Sequence, residues 1–290
     1  MSDYAHPEYL VETAWLAEHL DDPALRIFDC TTHLIPDPKT VYRVQSGLAD
    51  YQAGHIPGAG YLDLQAELSD SASRLRFTMP SAEHFAAAMG GKGLGDGHRV
   101  VLYSAGTMWW ATRIWWMLRA FGCEGAAVLN GGYQKWQAEE RPVSTEPCVY
   151  PPASFTPAPR PGLIAQKDDV LAALADPGAA VVNALTRRQH RGEAETHYGR
   201  PGRIANSTCL PALDLIDRDS NTFLDAATLR EKFAEVGATD KGRTIFYCGG
   251  GIAASADAFA LALLGQDGIA IYDNSLSEWA NDPDLPMETG

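Results

Sequence analysis

The chain repeats itself once. Thr244-Ile-Phe-Tyr-Cys248 matches Val100-Val-Leu-Tyr-Ser104, and Ala270-Ile-Tyr-Asp273 matches Ala127-Val-Leu-Asn130. Cys248 stands 144 residues after Ser104, and Trp279 stands 143 after Trp136. Ala179-Ala-Val-Val-Asn183 pairs with the apolar run ending at Asp29, Pro201-Gly-Arg-Ile-Ala-Asn206 stands where Gly54-His-Ile-Pro-Gly58 stood, and Leu213-Asp-Leu215 echoes Leu62-Asp-Leu64. A nearly constant offset over several segments indicates duplication. It restricts the 290 residues to two halves of like fold, as their number already suggests.

Within each half, short apolar runs alternate with helical periodicity. In the first, a helix is expected over 9–20, strands at Leu25–Asp29, Arg99–Ser104 and Ala126–Asn130, a helix over 81–89, and a long apolar helix through Trp109, Trp110, Trp115, Trp116 and Met117. In the second, helices are expected from Asp168 to Leu174 and from Ala253 to Leu264. Alternating strands and helices imply an α/β fold of two tandem domains, each a mainly parallel sheet flanked by helices. Between Arg141 and Pro161 stand Pro142, Pro147, Pro151, Pro152, Pro157, Pro159 and Pro161, a composition suited to an extended linker. The expected division is 1–141, a linker 142–161, and 162–290.

The halves differ where chemistry is expected. Thr244–Tyr247 ends in Cys248, then Gly249, Gly250 and Gly251, and Ile252 and Ala253 open a helix. Glycine accepts the φ > 0 conformations that turn backbone N–H groups inward around a sulfur. The helix N-terminus adds partial positive charge, favouring thiolate over thiol. The same sequence also suits a buried structural cysteine. In the first half Ser104 takes the equivalent place.

Composition narrows the partners. A formal charge of −14 argues against nucleic acid or an anionic membrane, although local arginines can still hold a small anion. No apolar run approaches the ~20 residues of a membrane span. The opening, Met1 to Glu8, has neither a basic n-region nor an apolar h-region, so no signal peptide is expected. Cysteines 30, 123, 148, 209 and 248 form no disulfide framework and no metal-binding pair, and His190 and His197 add no ligand spacing. A reducing cytoplasm is the expected setting.

His55-Ile-Pro-Gly-Ala59, Leu129-Asn-Gly-Gly-x-x-x-Trp136 and Tyr272-Asp-Asn-Ser-Leu-Ser-Glu-Trp279, together with the duplication, resemble the tandem-domain rhodaneses, a family of thiosulfate and 3-mercaptopyruvate sulfurtransferases. The resemblance runs from about Trp15 to Thr289. It implies two rhodanese folds with one active site, in the C-terminal half, and Cys248 as a nucleophile that becomes a persulfide. The N–H groups of Gly249, Gly250, Gly251, Ile252 and Ala253 would hold the anionic sulfur. Cyanide, a small thiol or a protein thiol would accept it, and no metal or organic cofactor is implied.

Donor identity stays open. Thiosulfate users resemble Cys-Arg-Lys-Gly-Val-Thr in this loop and mercaptopyruvate users Cys-Gly-Ser-Gly-Val-Thr. The loop Cys248-Gly-Gly-Gly-Ile-Ala leans to the second but puts Gly250 and Ala253 at the hydroxyl positions. Leu185 and Gln189 fall where the family carries substrate arginines. Arg188 and Arg191 are the nearest substitutes, followed by Arg187, Arg200 and Arg203. His55 joins the candidate substrate site, although its turn setting also suits a structural hydrogen bond. Asp273 could orient the loop through Ser275 or Ser277, and Trp109 or Trp110 could line the cleft. A phosphatase would need an arginine about six residues after the cysteine, where Ala254 and Ser255 stand. A non-catalytic binding or sulfur-sensing module is the remaining alternative.

Overall fold

The computed structural model describes residues 3–37 and 40–290; Met1 and Ser2, which belong to the opening considered above, lie outside them. The first half contains β1 (Leu10–Val11), α1 (Thr13–Glu18), β2 (Leu25–Asp29), β3 (Thr32–Asp37), β4 (Val41–Ser46), α2 (Leu48–Ala53), β5 (Ala59–Tyr61), α3 (Leu64–Glu67), α4 (Ala82–Gly91), β6 (Arg99–Tyr103), α5 (Trp109–Ala120), β7 (Ala126–Leu129) and α6 (Gly132–Ala138). The second contains β8 (Ile164–Ala165), α7 (Lys167–Ala175), β9 (Ala179–Asn183), α8 (Arg187–His190), β10 (Arg203–Ile204), β11 (Thr208–Cys209), α9 (Ala226–Glu235), β12 (Arg243–Tyr247), α10 (Ala253–Leu263), β13 (Ile269–Tyr272), α11 (Ser275–Trp279) and β14 (Met287–Glu288).

Two five-stranded sheets result, ordered β1-β7-β6-β2-β5 and β8-β13-β12-β9-β11, and every pairing within them is parallel. Matched by place, the two orders are identical. In each, the long apolar strand at the centre (β6, β12) is flanked on both sides, so its residues are buried on both faces and read as unbroken hydrophobic runs. The offset is not uniform. Asn183 follows Asp29 by 154 residues but Tyr247 follows Tyr103 by 144, and these residues occupy equivalent pairings. The ten additional residues of the first half fall in the stretch that contains the antiparallel hairpin β3–β4.

The expected helix over 9–20 begins later, at Thr13, because Leu10 and Val11 pair with Val128 and Leu129 as an edge strand. Residues 142–160 contain no helix or strand and run along the first half, with Ala153 N–H donating to Gly90 (2.9 Å) and Ala158 N–H to Phe121 (2.8 Å). Among the described residues no helix is long and apolar enough to cross a membrane.

The halves meet along α5 and α10. All eleven residues of α10 are buried, as are ten of the twelve in α5. Thr112 and Ser255 hydroxyls lie 2.8 Å apart across the contact, and Trp115 meets Phe259 edge-on at 4.8 Å between ring centroids. One apolar core therefore extends through both halves, from Phe28 to Ile271. Because each helix follows a central strand, its N-terminus and the preceding loop lie at that junction.

Candidate active site

Cys248 follows β12 directly, and the next turn of α10 begins at Ala253. The sulfur residue is 2% exposed. Behind the loop, Ser275 Oγ accepts the N–H groups of Cys248 (3.0 Å) and Gly251 (3.2 Å) while donating to the Tyr272 carbonyl (2.8 Å). Leu276 N–H donates to the Cys248 carbonyl, and both the N–H and the hydroxyl of Ser277 donate to that of Gly249 (2.9 and 2.6 Å). The start of α11 thus fixes the loop from below. Of the five N–H groups expected to face the sulfur, that of Gly251 is committed to Ser275. Those of Gly249, Gly250, Ile252 and Ala253 have no protein acceptor among the described residues.

Two glycines here are steric requirements. A Cβ on Gly249 would fall inside the Tyr198 ring. Gly251 has φ +77°, and a Cβ there would stand 2.9 Å from Arg113 Nη1. Arg113 comes from α5 of the other half and is fully buried; its Nη2 donates to Asp273 Oδ1 (2.6 Å) and the Phe77 carbonyl (2.7 Å). Asp273 Oδ2 accepts Met79 N–H (2.7 Å). Asp273 therefore locks the two halves together, and orientation of the loop falls to Ser275 and Ser277.

A cavity of about 400 Å³ opens beside the loop, lined among others by Tyr42, Arg74, Arg76, His197, Tyr198 and Ser277. Tyr42 and Tyr198 meet edge-on with ring centroids 6.3 Å apart. Burial raises both phenols above their ordinary range, and a charge on Cys248 raises them further. Both hydroxyls thus remain protonated near the sulfur. No residue of the loop itself lines this cavity; Tyr198 and Ser277, which lie against Gly249, connect the two. A larger cavity, about 550 Å³, lies on the first half beneath residues 145–150 and has no such link to the loop.

The remaining candidates lie elsewhere. His55 is fully buried in the first half, with its ring nitrogens on the carbonyls of Tyr51 (2.7 Å) and Glu146 (3.0 Å) and its ring stacked on Tyr51. It ties the 142–160 segment to α2 and lines neither the loop nor its cavity. Arg191 is engaged by Glu193 through two contacts of 2.8 Å, and Arg188 donates to the Glu193 carbonyl (3.2 Å). The Thr186–Gln189 capping box begins α8 and directs this basic turn to the surface. Arg187 pairs with Asp214, Arg203 with Glu288, and Arg200 binds carbonyls of residues 279–285. Trp110 packs on Phe77 in the core, and the Trp109 carbonyl accepts from Ser255.

Tyr42, Arg74, Arg76 and Tyr198 were not singled out from the sequence, and His197 was weighed only as a metal ligand. Three come from the first half, and a basic Arg-x-Arg in so acidic a chain was the available signal. Burial pushes the other thiols up, Cys209 to about 12, which keeps them protonated. Ser104, the counterpart of Cys248, is fully buried and donates to the Thr107 carbonyl (2.7 Å). No group of three or more His, Cys, Asp or Glu among the described residues is placed to hold a metal.

The Rhodanese-like domain family matches residues 12–139 and 168–282. The chain is 32% identical over 300 residues to the sulfur carrier protein TtuD of Thermus thermophilus, covering 99% of both. It is 30% identical to thiosulfate/3-mercaptopyruvate sulfurtransferase 1 of Arabidopsis thaliana, covering 99% of this chain and 80% of that one. The crystal structure of SseA from Escherichia coli, described among the 3-mercaptopyruvate sulfotransferases, superposes with a TM-score of 0.82 at 31% identity over 93% of this chain and 99% of that one. By sequence, by two matched copies and by the order of its sheets, the chain belongs to the rhodanese-like family in its tandem, two-domain form.

Proposed function

We propose that this chain is a sulfurtransferase that carries sulfane sulfur on Cys248 from 3-mercaptopyruvate or thiosulfate to a thiophilic acceptor. The observation that carries the reading is the loop itself: one cysteine at the end of a central strand, with four neighbouring N–H groups that have no protein acceptor among the described residues. Such a group of donors suits an anion more than a neutral structural thiol.

With mercaptopyruvate, the Cys248 thiolate forms an S–S bond to the donor sulfur and the C–S bond breaks. Carbon keeps the electron pair as an enolate and takes the proton released by the new persulfide, giving pyruvate. With thiosulfate, the same attack breaks the S–S bond and sulfite leaves with the electron pair. Cyanide or a thiolate then attacks the outer sulfur and restores the Cys248 thiolate. Gly250 and Ala253 bring no hydroxyl, and the nearest phenol is that of Tyr198, against Gly249. The uncharged loop favours mercaptopyruvate over thiosulfate.

Intact-protein mass after incubation with each donor, wild type beside Cys248→Ser, tests the reading. One added sulfur in wild type alone is expected, faster from mercaptopyruvate. No addition from either donor would leave a non-catalytic binding module.

A further inference from the structure

We infer that the anionic end of the donor is held by Arg74 and Arg76, so that recognition is supplied by the half that lacks the nucleophile. The inference rests on the reading of Cys248 as sulfur carrier.

At the expected positions of the second half stand Leu185 and Gln189. Among the neighbouring arginines Arg187, Arg191 and Arg203 are each paired with a carboxylate, Arg200 is taken up by carbonyls of residues 279–285, and Arg188 donates to the Glu193 carbonyl on the exposed α8 turn. Arg74 and Arg76 have no carboxylate partner among the described residues, yet both line the cavity beside the loop. In a chain of −14, two guanidinium groups without a carboxylate partner at one cavity supply local positive charge for a small anion.

The position of Arg76 is constructed. Phe77, next to Arg76, has φ +62°, a costly conformation for a bulky residue. It is held there by Gln65 Oε1, which accepts its N–H (3.2 Å), and by Arg113, which donates to its carbonyl. Arg76 in turn stacks over the Tyr42 ring (4.9 Å) and donates to the Tyr42 carbonyl. The Arg76 carbonyl lies 3.8 Å from where a Cβ on Gly250 would be, so this segment borders the loop directly. Tyr198 joins the two: it lines the cavity with both arginines and lies against Gly249, the residue after Cys248. Planar guanidinium groups match a carboxylate or a sulfonate oxygen pair. The ligand class is therefore a small anion with sulfur at one end and a two-oxygen acid at the other.

The test uses the full chain as wild type, R74Q/R76Q and R188Q/R191Q. Two readouts are taken: the rate of sulfur addition to Cys248 from mercaptopyruvate and from thiosulfate, and the ratio of Cys248 alkylation rates by iodoacetate and iodoacetamide. The alkylating pair is matched in size and differs in charge, and C248S gives the background. R74Q/R76Q is expected to lower donor kcat/KM on the order of 10- to 100-fold and to lower the iodoacetate/iodoacetamide ratio, with iodoacetamide alone little changed. R188Q/R191Q is expected to behave as wild type. Equal loading and an equal ratio in R74Q/R76Q would overturn the inference and leave the carrier role standing. A wild type that alkylates with a charge-dependent ratio but gains sulfur from neither donor would overturn the carrier role instead, and the donor assignment with it.

Discussion

Ser275 is a serine in the left-handed region, φ +50°, fully buried. Its counterpart in the first half, 143 residues earlier, is Gly132 at φ +58°. Only glycine adopts this conformation without strain, at a cost of about 1–2 kcal/mol for other residues. The half that carries the cysteine tolerates the strain, and the hydroxyl gained accepts the N–H groups of Cys248 and Gly251. Strain at this position is therefore coupled to the shape of the sulfur loop. Replacing Ser275 by Gly would relieve the backbone and orphan two buried donors, whereas Ala would orphan them and keep the strain. Ser275→Ala is expected to be the less stable by about 1–2 kcal/mol, measured by urea unfolding. Both are expected to slow sulfur addition to Cys248 by on the order of 10- to 100-fold. Loading at the wild-type rate in Ser275→Gly would show that the loop keeps its shape without the hydroxyl.

At the scale of elements, α5 and α10 are equivalent helices with an arginine and an aspartic acid at equivalent places. Arg113 stands 144 residues before Asp257. Arg113 crosses to the Cys248 loop and Asp273, and the buried Asp257 finds no hydrogen-bond partner among the described residues. At this pair of positions the half with the nucleophile thus receives a buried cation from its neighbour. Removing one member of a buried pair leaves the other unpaired, so Arg113→Met is expected to cost about 3–5 kcal/mol. Adding Asp273→Asn should recover much of that loss, and a double-mutant cycle by denaturant unfolding measures the coupling. Additive losses would mean that the pair contributes nothing as a pair.

The strands behind this arrangement were legible. Leu25–Asp29 and Ala179–Asn183 have the bounds that the apolar runs suggest, because strands buried on both faces display little but their hydrophobicity. The β3–β4 hairpin was not, since Pro36 and alternating polar residues lie in a two-stranded unit outside the main sheet. The Cys248 loop was legible because its residues are contiguous. The cavity was not, because Tyr42, Arg76 and Tyr198 come from segments up to about 150 residues apart that meet only when the halves dock. Searching for arginines near Asn183 in sequence found a capped surface turn.

The whole molecule is held by a core that neither half completes alone. Helix α10 is buried on all sides, and α5 contributes the wall it packs on, so the halves should unfold together in one calorimetric transition with equal van't Hoff and calorimetric enthalpies. That transition should also carry the signature of two buried acids, Asp29 in the first half and Asp257 in the second. Burial raises both above the ordinary carboxyl value of 3.8, Asp257 well above it. A carboxyl with a raised folded pKa keeps its proton after the unfolded chain has released it. Its contribution to stability is therefore full below about pH 3.8 and is lost as pH rises through the folded value, at about 1.4 kcal/mol per unit. Asp257→Asn keeps the size and removes the ionisation. Its midpoint, relative to wild type, should rise more at pH 8 than at pH 5, in the same single transition. An equal difference at both pH values would mean that Asp257 does not hold its proton in the folded protein. A split transition would mean that the shared core does not bind the two halves into one cooperative unit.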